Sequence, residues 1–265
     1  MCSFNLSVII YIVIIFMCIC QQGKTRKYEE FHQGTKSQKR VIDENNFTYR
    51  HILSEVDKFL KPPKRILDIG CGAGTICLYY ANKGNTLVGI DISQRAVESA
   101  VESAKYLELK NITFKAMNFP NEIPKGMFDF IIFTEVIEHL EDDYVALKKI
   151  FCLLKKGGIV FISTPSRNAP LYRLGLVKEF DKRVGHLRRY TMEELEEKSK
   201  KCGFVILETR KTEGIVRNFL FLNPIAGKFV RFIKFFLSDW VTFVDDISLK
   251  LFGESNIFIV LQKPK

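Results

Sequence analysis

The stretch Arg65-Ile-Leu-Asp-Ile-Gly-Cys-Gly-Ala-Gly74 decides the fold of this 265-residue chain. An apolar run that contains Asp68 leads into three glycines at alternate positions, and a helix-like segment follows. This order is typical of a buried strand, a tight turn and the first turn of a helix. Glycines let the backbone approach a ligand closely, and the helix N-terminus presents free N–H groups to it. The stretch therefore predicts an α/β protein that binds a small cofactor at the turn.

The chemistry of the turn narrows the choice of cofactor. Its glycines follow the spacing G-x-G-x-G rather than the G-x-G-x-x-G of dinucleotide-binding turns, and no Gly-Lys-Ser/Thr of a phosphate loop follows. Asp68 precedes the turn, where a carboxylate repels a phosphate and attracts a cation. S-adenosylmethionine suits this position because it carries an ammonium and a sulfonium group. Asp91 ends the next predicted strand, where a carboxylate commonly binds ribose hydroxyls.

Four segments in this order resemble the motifs of class I S-adenosylmethionine-dependent methyltransferases. They are the glycine turn, Asn85–Asp91, Met127–Thr134 and Leu154–Thr164. The resemblance covers about residues 45–212 and the C-terminal strand. It implies an α/β, Rossmann-like fold with a seven-stranded, mainly parallel sheet, helices on both faces and an antiparallel last strand. It also implies that the cofactor is contacted by Asp68, Gly70, Cys71, Gly72, Gly74, Asp91, Ile92, Asn118, Phe119 and Thr134.

The pattern along the chain supports this architecture, because predicted strands alternate with predicted helices. Residues 45–265 are predicted as one methyltransferase domain with a helical, amphipathic insertion at 214–253. Residues 1–44 are predicted as an apolar N-terminal segment followed by a flexible linker. The strands are expected near 64–69, 86–91, 111–117, 127–134, 157–164, 204–211 and 255–263. The helices are expected near 46–60, 75–83, 93–107, 142–155 and 191–202.

Composition and charge bear on the compartment and the partners. The seven cysteines lack the spacing of a zinc site or a disulfide framework, and the net charge of +10 favours anionic partners such as a membrane surface or nucleic acid. The apolar run Leu6–Ile19 is short for a spanning helix and is interpreted as a weak anchor or a start-site artefact, rather than a secretory signal. The expected localisation is cytoplasmic, with membrane association through this segment. Residues 219–243 interleave aromatic and basic residues, which is typical of a membrane interface, a packed helical cap or a dimer face.

A second constellation follows the fourth predicted strand. Glu135, Glu138 and His139 have the spacing i, i+3, i+4, which puts them on one face if the segment is helical. Two carboxylates and an imidazole make a plausible divalent-metal site, and His186 in the later loop is a candidate fourth ligand. The sequence also allows a site without metal, in which His139 or His186 acts as general base. Glu135, His139 and His186 are therefore the candidate catalytic residues.

The same constellation resembles two metal-dependent branches of the superfamily. One comprises the ubiquinone-biosynthesis O-methyltransferases and the other the small-RNA 3′-terminal 2′-O-methyltransferases; both resemblances imply a divalent cation, Mg²⁺ or Zn²⁺. Ser163–Asn168 and Gly185–Leu195 resemble the ubiquinone branch, whereas the second histidine and the tryptophan of the RNA branch are missing from this region. The predicted function is O-methylation of a quinone-like or lipid-linked small molecule, and nucleic acid is disfavoured. The alternatives are RNA 2′-O-methylation and an inactive binding protein, and the oligomeric state stays open.

Overall fold

In the computed structural model, the described residues are 25–223 and 234–265, and within them the chain builds a seven-stranded sheet. The strands are β1 (Arg65–Ile69), β2 (Thr86–Asp91), β3 (Ile112–Ala116), β4 (Phe128–Thr134), β5 (Leu154–Pro165), β6 (Val205–Thr212) and β7 (Asn256–Gln262). Their order across the sheet is β3-β2-β1-β4-β5-β7-β6. The pairs from β3 to β5 are parallel, and β7 runs antiparallel to β5 and β6. The predicted fold class is confirmed.

Helices cover the sheet and its carboxyl edge, and several begin at side chains that cap them. Ser93 Oγ accepts from Ala96 N, and Thr191 and Glu194 form a reciprocal capping box. Residues 137–139 form a 3₁₀ turn after β4. The helices are α1 (25–31), α2 (Arg50–Phe59), α3 (Thr75–Asn82), α4 (Gln94–Tyr106), α5 (Asp143–Leu153), α6 (Pro170–Arg173), α7 (Lys178–Val184), α8 (Met192–Lys201), α9 (Ile215–Leu222) and α10 (Lys234–Phe252).

The sheet is buried on both faces, which explains why its central strands read as continuous apolar runs. Successive residues of each strand point to opposite faces. Leu67 and Ile131 therefore pack in one core cluster, while their neighbours Ile66 and Phe130 pack in the other. With both faces covered, the carboxyl edge is where the parallel strands present side chains to a ligand.

The structure differs from the predicted organisation on the N-terminal side of the domain. Residues 25–31 form α1, although the charged composition of 21–44 predicted a flexible linker. The reason is tertiary, since Lys27 Nζ donates to Lys182 O at 2.8 Å. The apolar segment 6–19 lies outside the described residues. Within 25–223 and 234–265, no helix has both the length and the apolar character needed to cross a membrane.

The junction between β6 and α9 depends on one glycine, Gly214. Its N–H donates to Asp245 Oδ2 at 2.8 Å, and Arg217 N donates to Asp245 Oδ1 at 2.8 Å, which fastens α9 to α10. A Cβ at this position would overlap Ser248 Oγ and Asp245 O and would lie 2.7 Å from Leu249 N. Backbone atoms of α10 cannot move aside cheaply, so the space admits only glycine.

Gly214→Ala is therefore expected to lower the free energy of unfolding by about 2–3 kcal/mol, the cost typical of overpacking. Urea unfolding measures the effect as a lower midpoint. Gly34→Ala is the matched control, because a Cβ there meets nothing within 4 Å. Equal midpoints for the two variants would contradict the packing described for this junction.

Candidate active site at the carboxyl edge of the sheet

A cavity of about 1080 Å³ lies at the carboxyl edge of the sheet. It is centred where β1 is flanked by β2 on one side and β4 on the other, so that the connections leaving these strands diverge. Such a switch point leaves a crevice in open α/β sheets, and ligands bind there. The walls come from the glycine turn after β1, from the ends of β2 and β4, and from helices α1, α7 and α9.

The glycine turn after β1 is held against β2 and against the end of β4. Gly70 N and Cys71 N both donate to Ile90 O, at 2.8 and 3.0 Å, and Gly72 N donates to Asp91 Oδ2 at 2.8 Å. Gly70 has a φ of 76°, and a Cβ there would overlap Val136 Cγ2. Both its conformation and its surroundings therefore require glycine.

Two carboxylates face the cavity beside this turn. Asp68 is 2% exposed, and burial raises its pKa to about 7, with the hydrogen bond from Cys77 opposing the rise and Asp91 adding to it. Asp91 Oδ1 accepts from Ser93 N at 2.9 Å, so this carboxylate joins the glycine turn to the start of α4. A cationic ligand beside Asp68 would relieve the cost of ionising it. This end of the cavity is therefore built for a ligand with positive charge.

The remaining predicted cofactor residues divide into two groups. Gly74 does not line the cavity; it precedes α3 with a φ of 77° and packs against Phe114, which leaves no room for a Cβ. Its role is structural. The others do line the cavity, and they are Gly70, Cys71, Gly72, Ile92, Asn118, Phe119 and Thr134.

Beyond β4 the half-buried His139 and His186 line the cavity, and the buried Glu138 lies next to them in one polar cluster. Glu138 Oε1 lies 4.0 Å from His139 Nε2 and 3.9 Å from His186 Nε2. The loop that carries His186 is held there because Leu187 N donates to Glu138 O at 2.9 Å. The second oxygen of Glu138 accepts from Thr164 Oγ1 at 3.0 Å, whereas Oε1 is buried without a hydrogen-bond partner. Buried polar atoms are normally satisfied, and a cation or a proton donor between the two imidazoles would satisfy this oxygen.

Hydrogen bonds orient both imidazoles toward Glu138. His139 Nδ1 lies 3.2 Å from Gly185 O, and His186 Nδ1 lies 2.9 Å from Asp181 Oδ1. A carbonyl or a carboxylate can only accept, so we assign the N–H to Nδ1 in both rings, which leaves each Nε2 with a lone pair. Burial, and then the neighbouring His186, lower the pKa of His139 to about 4, so its ring is neutral near pH 7. This donor set fits a divalent cation.

Asp181 is the residue that fixes this arrangement from outside the cavity. Arg189 donates to it from Nε at 2.8 Å and from Nη2 at 2.6 Å, and His186 donates from the other side. Burial alone would raise the pKa of Asp181, but these hydrogen bonds lower it to about 2. Sequence reasoning missed this residue, although it lies only five residues before His186 and eight before Arg189.

Glu135 stands apart from the cluster, and the prediction of one helical face is wrong. Its φ of 56° takes it out of any helix, and the 3₁₀ turn begins only at Ile137. Its Oε1 accepts from Ser163 Oγ at 2.8 Å and from Asn256 Nδ2 at 2.9 Å. Neighbouring strands thus hold the carboxylate of Glu135 at the cavity wall, away from His139 and His186.

Helix α1 closes part of the cavity with residues that sequence analysis did not select. Tyr28 and Phe31 of α1 and His32 just after it line the wall, and the ring of Tyr28 stands edge-on to that of His139 with centroids 5.7 Å apart. The i, i+3 spacing of Tyr28 and Phe31 in a charged segment was the available signal. On the opposite side, Glu213 and Phe221 line the cavity from the region of α9.

Comparison with known proteins identifies the family. A family model described as a methyltransferase domain matches residues 42–209, which is more than half of the chain. The chain belongs to this methyltransferase family. An S-adenosylmethionine complex of phosphoethanolamine N-methyltransferase 2 from Haemonchus contortus resembles the domain with a TM-score of 0.63, 21% identity, and coverage of 82% of this chain and 53% of that one. A putative sarcosine dimethylglycine methyltransferase from Galdieria sulphuraria resembles it with a TM-score of 0.62 and 18% identity. The match covers 92% of this chain and 98% of that one.

Curated relatives of this methyltransferase domain carry a more specific name. A protein named ubiquinone biosynthesis O-methyltransferase from Pelagibacter ubique is 36% identical over 151 residues, which cover 57% of this chain and 62% of the relative. A protein of the same name from Bradyrhizobium diazoefficiens is 34% identical over 113 residues, which cover 43% of this chain and 44% of the relative. The chain thus spans about half the length of these relatives. The predicted class I methyltransferase is confirmed at the level of family and fold.

Proposed function

We propose that the protein is an S-adenosylmethionine-dependent methyltransferase that methylates a hydroxyl of a quinone-like or lipid-linked small molecule. The observation that carries the proposal is a single cavity with two chemically distinct ends. Asp68, the glycine turn and Asp91 line one end, and His139 and His186 line the other, with the buried carboxylate of Glu138 next to them. A cationic cofactor fits the first end, and an acceptor hydroxyl fits the second.

The cofactor end has a part for each portion of S-adenosylmethionine. The methionine end would lie against Asp68 and the glycine turn, and the ribose hydroxyls against Asp91. Asn118 and Phe119 would flank the adenine. Thr134 and Glu135 would then stand beside the sulfonium, which needs a wall without positive charge. The lining of the cavity supports this proposal, because all of these residues line it from the ends of β1, β2, β3 and β4.

At the acceptor end, Glu138, His139 and His186 would hold a divalent cation, Mg²⁺ or Zn²⁺. Such a cation supplies a Lewis acid that lowers the pKa of a hydroxyl bound to it. The support is the unpartnered Oε1 of Glu138 and the two Nε2 lone pairs beside it. A pKa of about 4 makes His139 a weak base, which favours a ligand role over proton abstraction. The protein itself then contributes mainly by holding the two reactants in line.

The choice of a small acceptor over RNA rests on the loop after β5. RNA binding needs cationic side chains that are free to meet phosphates. Here Arg189 is engaged by Asp181, Arg188 donates to Asp143 at 3.1 Å, and Arg167 is paired with Glu194. These pairings favour the small-molecule acceptor. Extending the proposal, peripheral membrane contact through the N-terminal segment and residues 219–243 would bring a lipid-linked acceptor within reach; 1–24 and 224–233 lie outside the described residues.

An acceptor screen tests the reaction directly. Cofactor with a labelled methyl group is incubated with the protein and either a membrane-lipid extract or total RNA. We expect the label in the organic phase of the lipid reaction and none in the RNA. Label in RNA alone would overturn the proposed acceptor class while leaving the cofactor assignment intact.

The pH dependence of cofactor binding tests the role of Asp68. Its pKa of about 7 lies above the ordinary 3.8, so the free protein holds it protonated in mild acid, whereas a cationic cofactor requires it ionised. Affinity should therefore rise with pH, about tenfold per unit below pH 7, and level off above. Calorimetry with S-adenosylhomocysteine, which keeps the ammonium, measures this. Asp68→Asn should bind weakly with a flat profile; an equal slope in both proteins would contradict the assignment.

A further inference from the structure

Glu213 lines the same cavity from the junction between β6 and α9. Its side chain is only 16% exposed, and Asn218 and Asn256 line the cavity beside it. Asn256 also donates to Glu135, so this wall adjoins the place proposed for the sulfonium. Neither the cofactor nor the divalent cation of the proposed function uses the carboxyl of Glu213.

The backbone at Glu213 has an uncommon conformation. Its φ of 56° lies in the left-handed region, and its carbonyl accepts from Ser255 N at 2.6 Å. Among the described residues, three non-glycine positions have such a positive φ, and two of them, Glu135 and Glu213, line the cavity. Residues in this conformation cost free energy and cluster at functional sites. The conformation therefore points to a role for the Glu213 side chain in the cavity.

The carboxylate of Glu213 faces a cation that does not satisfy it. Arg217 Nε lies 3.7 Å from Glu213 Oε1, too far for a good hydrogen bond, and Arg217 Nε and Nη1 are buried without a partner. Arg217 is held in this position because its Nη2 donates to Phe47 O at 2.8 Å and its guanidinium stacks near the Phe47 ring. The ion pair is thus loose, and the cavity side of Glu213 is open to a ligand.

The charges around Glu213 favour a positively charged ligand. Burial raises the pKa of Glu213 to about 7, with Arg217 opposing the rise and Glu135 and Asp245 adding to it. A further cation beside Glu213 would relieve the cost of ionising the carboxyl. Its attraction to the carboxylate would be strong, because the site is largely shielded from water.

The surroundings favour an organic cation over a metal ion. A divalent metal needs several ligand atoms close together. Among the described residues, the group of three potential ligands is Glu138, His139 and His186, and Glu213 has no such companions. Apolar side chains stand beside it instead, since Phe221 and Leu222 line the cavity from α9. In the proposed function the ammonium of the cofactor already has Asp68, so the cation at Glu213 belongs to the acceptor.

We infer that Glu213 binds a protonated amine carried by the methyl acceptor. The inference deepens the proposed function, on which it rests: the acceptor has the hydroxyl that is methylated and a separate ammonium group. The ammonium would donate to Glu213, while the hydroxyl would lie at His139 and His186. Glu213 is then a specificity residue, which selects and positions the acceptor without touching the reacting atoms.

A matched pair of catechols tests the inference on the full-length protein with S-adenosylhomocysteine and Mg²⁺ present. Dopamine carries an ammonium where hydroxytyrosol carries a hydroxyl, and the two are otherwise alike. At about pH 8 both Glu213 and the alkyl ammonium are charged. We expect calorimetry to give at least roughly tenfold tighter binding of dopamine, since hydrogen bonds between charged groups are the stronger ones. Equal affinities, tighter binding of hydroxytyrosol, or no binding of either probe would overturn the inference.

Three variants assign the preference to Glu213. Glu213→Gln keeps the shape of the side chain without its charge and should bind the two probes about equally, whereas Glu213→Asp should retain part of the preference. Glu108→Gln is the matched control, because Glu108 also has a positive φ, of 55°, but is exposed just after α4 and does not line the cavity. It should show the full preference. A preference for dopamine that survives in Glu213→Gln would contradict the assignment.

This outcome is independent of the outcome for the proposed reaction. Methyl transfer from labelled cofactor to the lipid extract decides the proposed function. A parent protein that prefers dopamine but labels no small molecule would refute the reaction and leave the amine site intact. A parent that labels a lipid but binds the two probes equally would refute the amine site alone.

Discussion

Asp91→Ala is expected to abolish measurable binding of S-adenosylmethionine and of S-adenosylhomocysteine. The substitution removes the carboxylate that would contact the ribose. It also removes the acceptor that joins Gly72 N to Ser93 N. A hydrogen bond to a charged group contributes about 1.5–3 kcal/mol, so losing two at the ribose weakens binding at least about 100-fold. Isothermal titration calorimetry measures the change, and thermal unfolding verifies that the variant is folded.

Two further variants separate ligand contact from loop support. Asp91→Asn keeps an acceptor for one backbone N–H but removes the charge, so it should bind more weakly than the parent and more tightly than Asp91→Ala. Asp57→Ala removes a carboxylate that pairs with Lys83 on the surface, and it should bind normally. Normal affinity in Asp91→Ala would refute the placement of the ribose at the end of β2.

The second large effect is expected at Glu138. Glu138→Gln should remove the stabilisation of the protein by Mg²⁺ or Zn²⁺ and reduce methyl transfer at least about 100-fold, since it replaces a charged ligand by a weak one. Burial, and then Glu135, raise the pKa of Glu138 well above its ordinary value, which favours the protonated carboxyl. Glutamine is close in shape to that protonated form, and the fold of the metal-free variant should be intact.

The measurement is the shift in melting temperature on adding each cation to chelator-treated protein, which needs no acceptor. The parent should be stabilised and Glu138→Gln should not respond. Glu196→Gln is the matched control, because Glu196 pairs with Lys200 far from the cavity and should leave the response unchanged. A parent that shows no cation response and keeps full activity in chelator would rule out the metal site.

The sequence by itself predicted the sheet and the cofactor end of the site. Apolar runs and glycine spacing are local patterns, so the strand bounds at β1 and β2 match the prediction closely. Asp68 and Asp91 follow from the same logic, because each stands at the carboxyl end of a parallel strand beside its neighbour. Topology of this kind brings their side chains together without help from distant residues.

Tertiary structure decided the parts of the site that depend on contacts far apart in the sequence. Glu135 leaves the cluster because Ser163 and Asn256, on β5 and β7, hold its carboxylate. Helix α1 is ordered against the cavity by Lys182, which is 155 residues away from Lys27. Glu135 has no local signal that predicts this outcome, and the local signal for α1 is limited to the i, i+3 spacing of Tyr28 and Phe31.

The same division holds for the amphipathic insertion. Its composition indicated a helix with an apolar face, but a membrane surface, a cap on the domain and a dimer face all fit that pattern. The structure fixed the orientation of α10, because Asp245 faces Gly214 and Arg217 in the interior, which leaves Trp240 and Phe243 exposed. Sequence thus determined which residues are apolar and where the glycine turn and its carboxylates lie. Only the packing of α9 and α10 determined that Trp240 faces outward, since breaking the buried hydrogen bonds of Asp245 costs more than exposing Trp240.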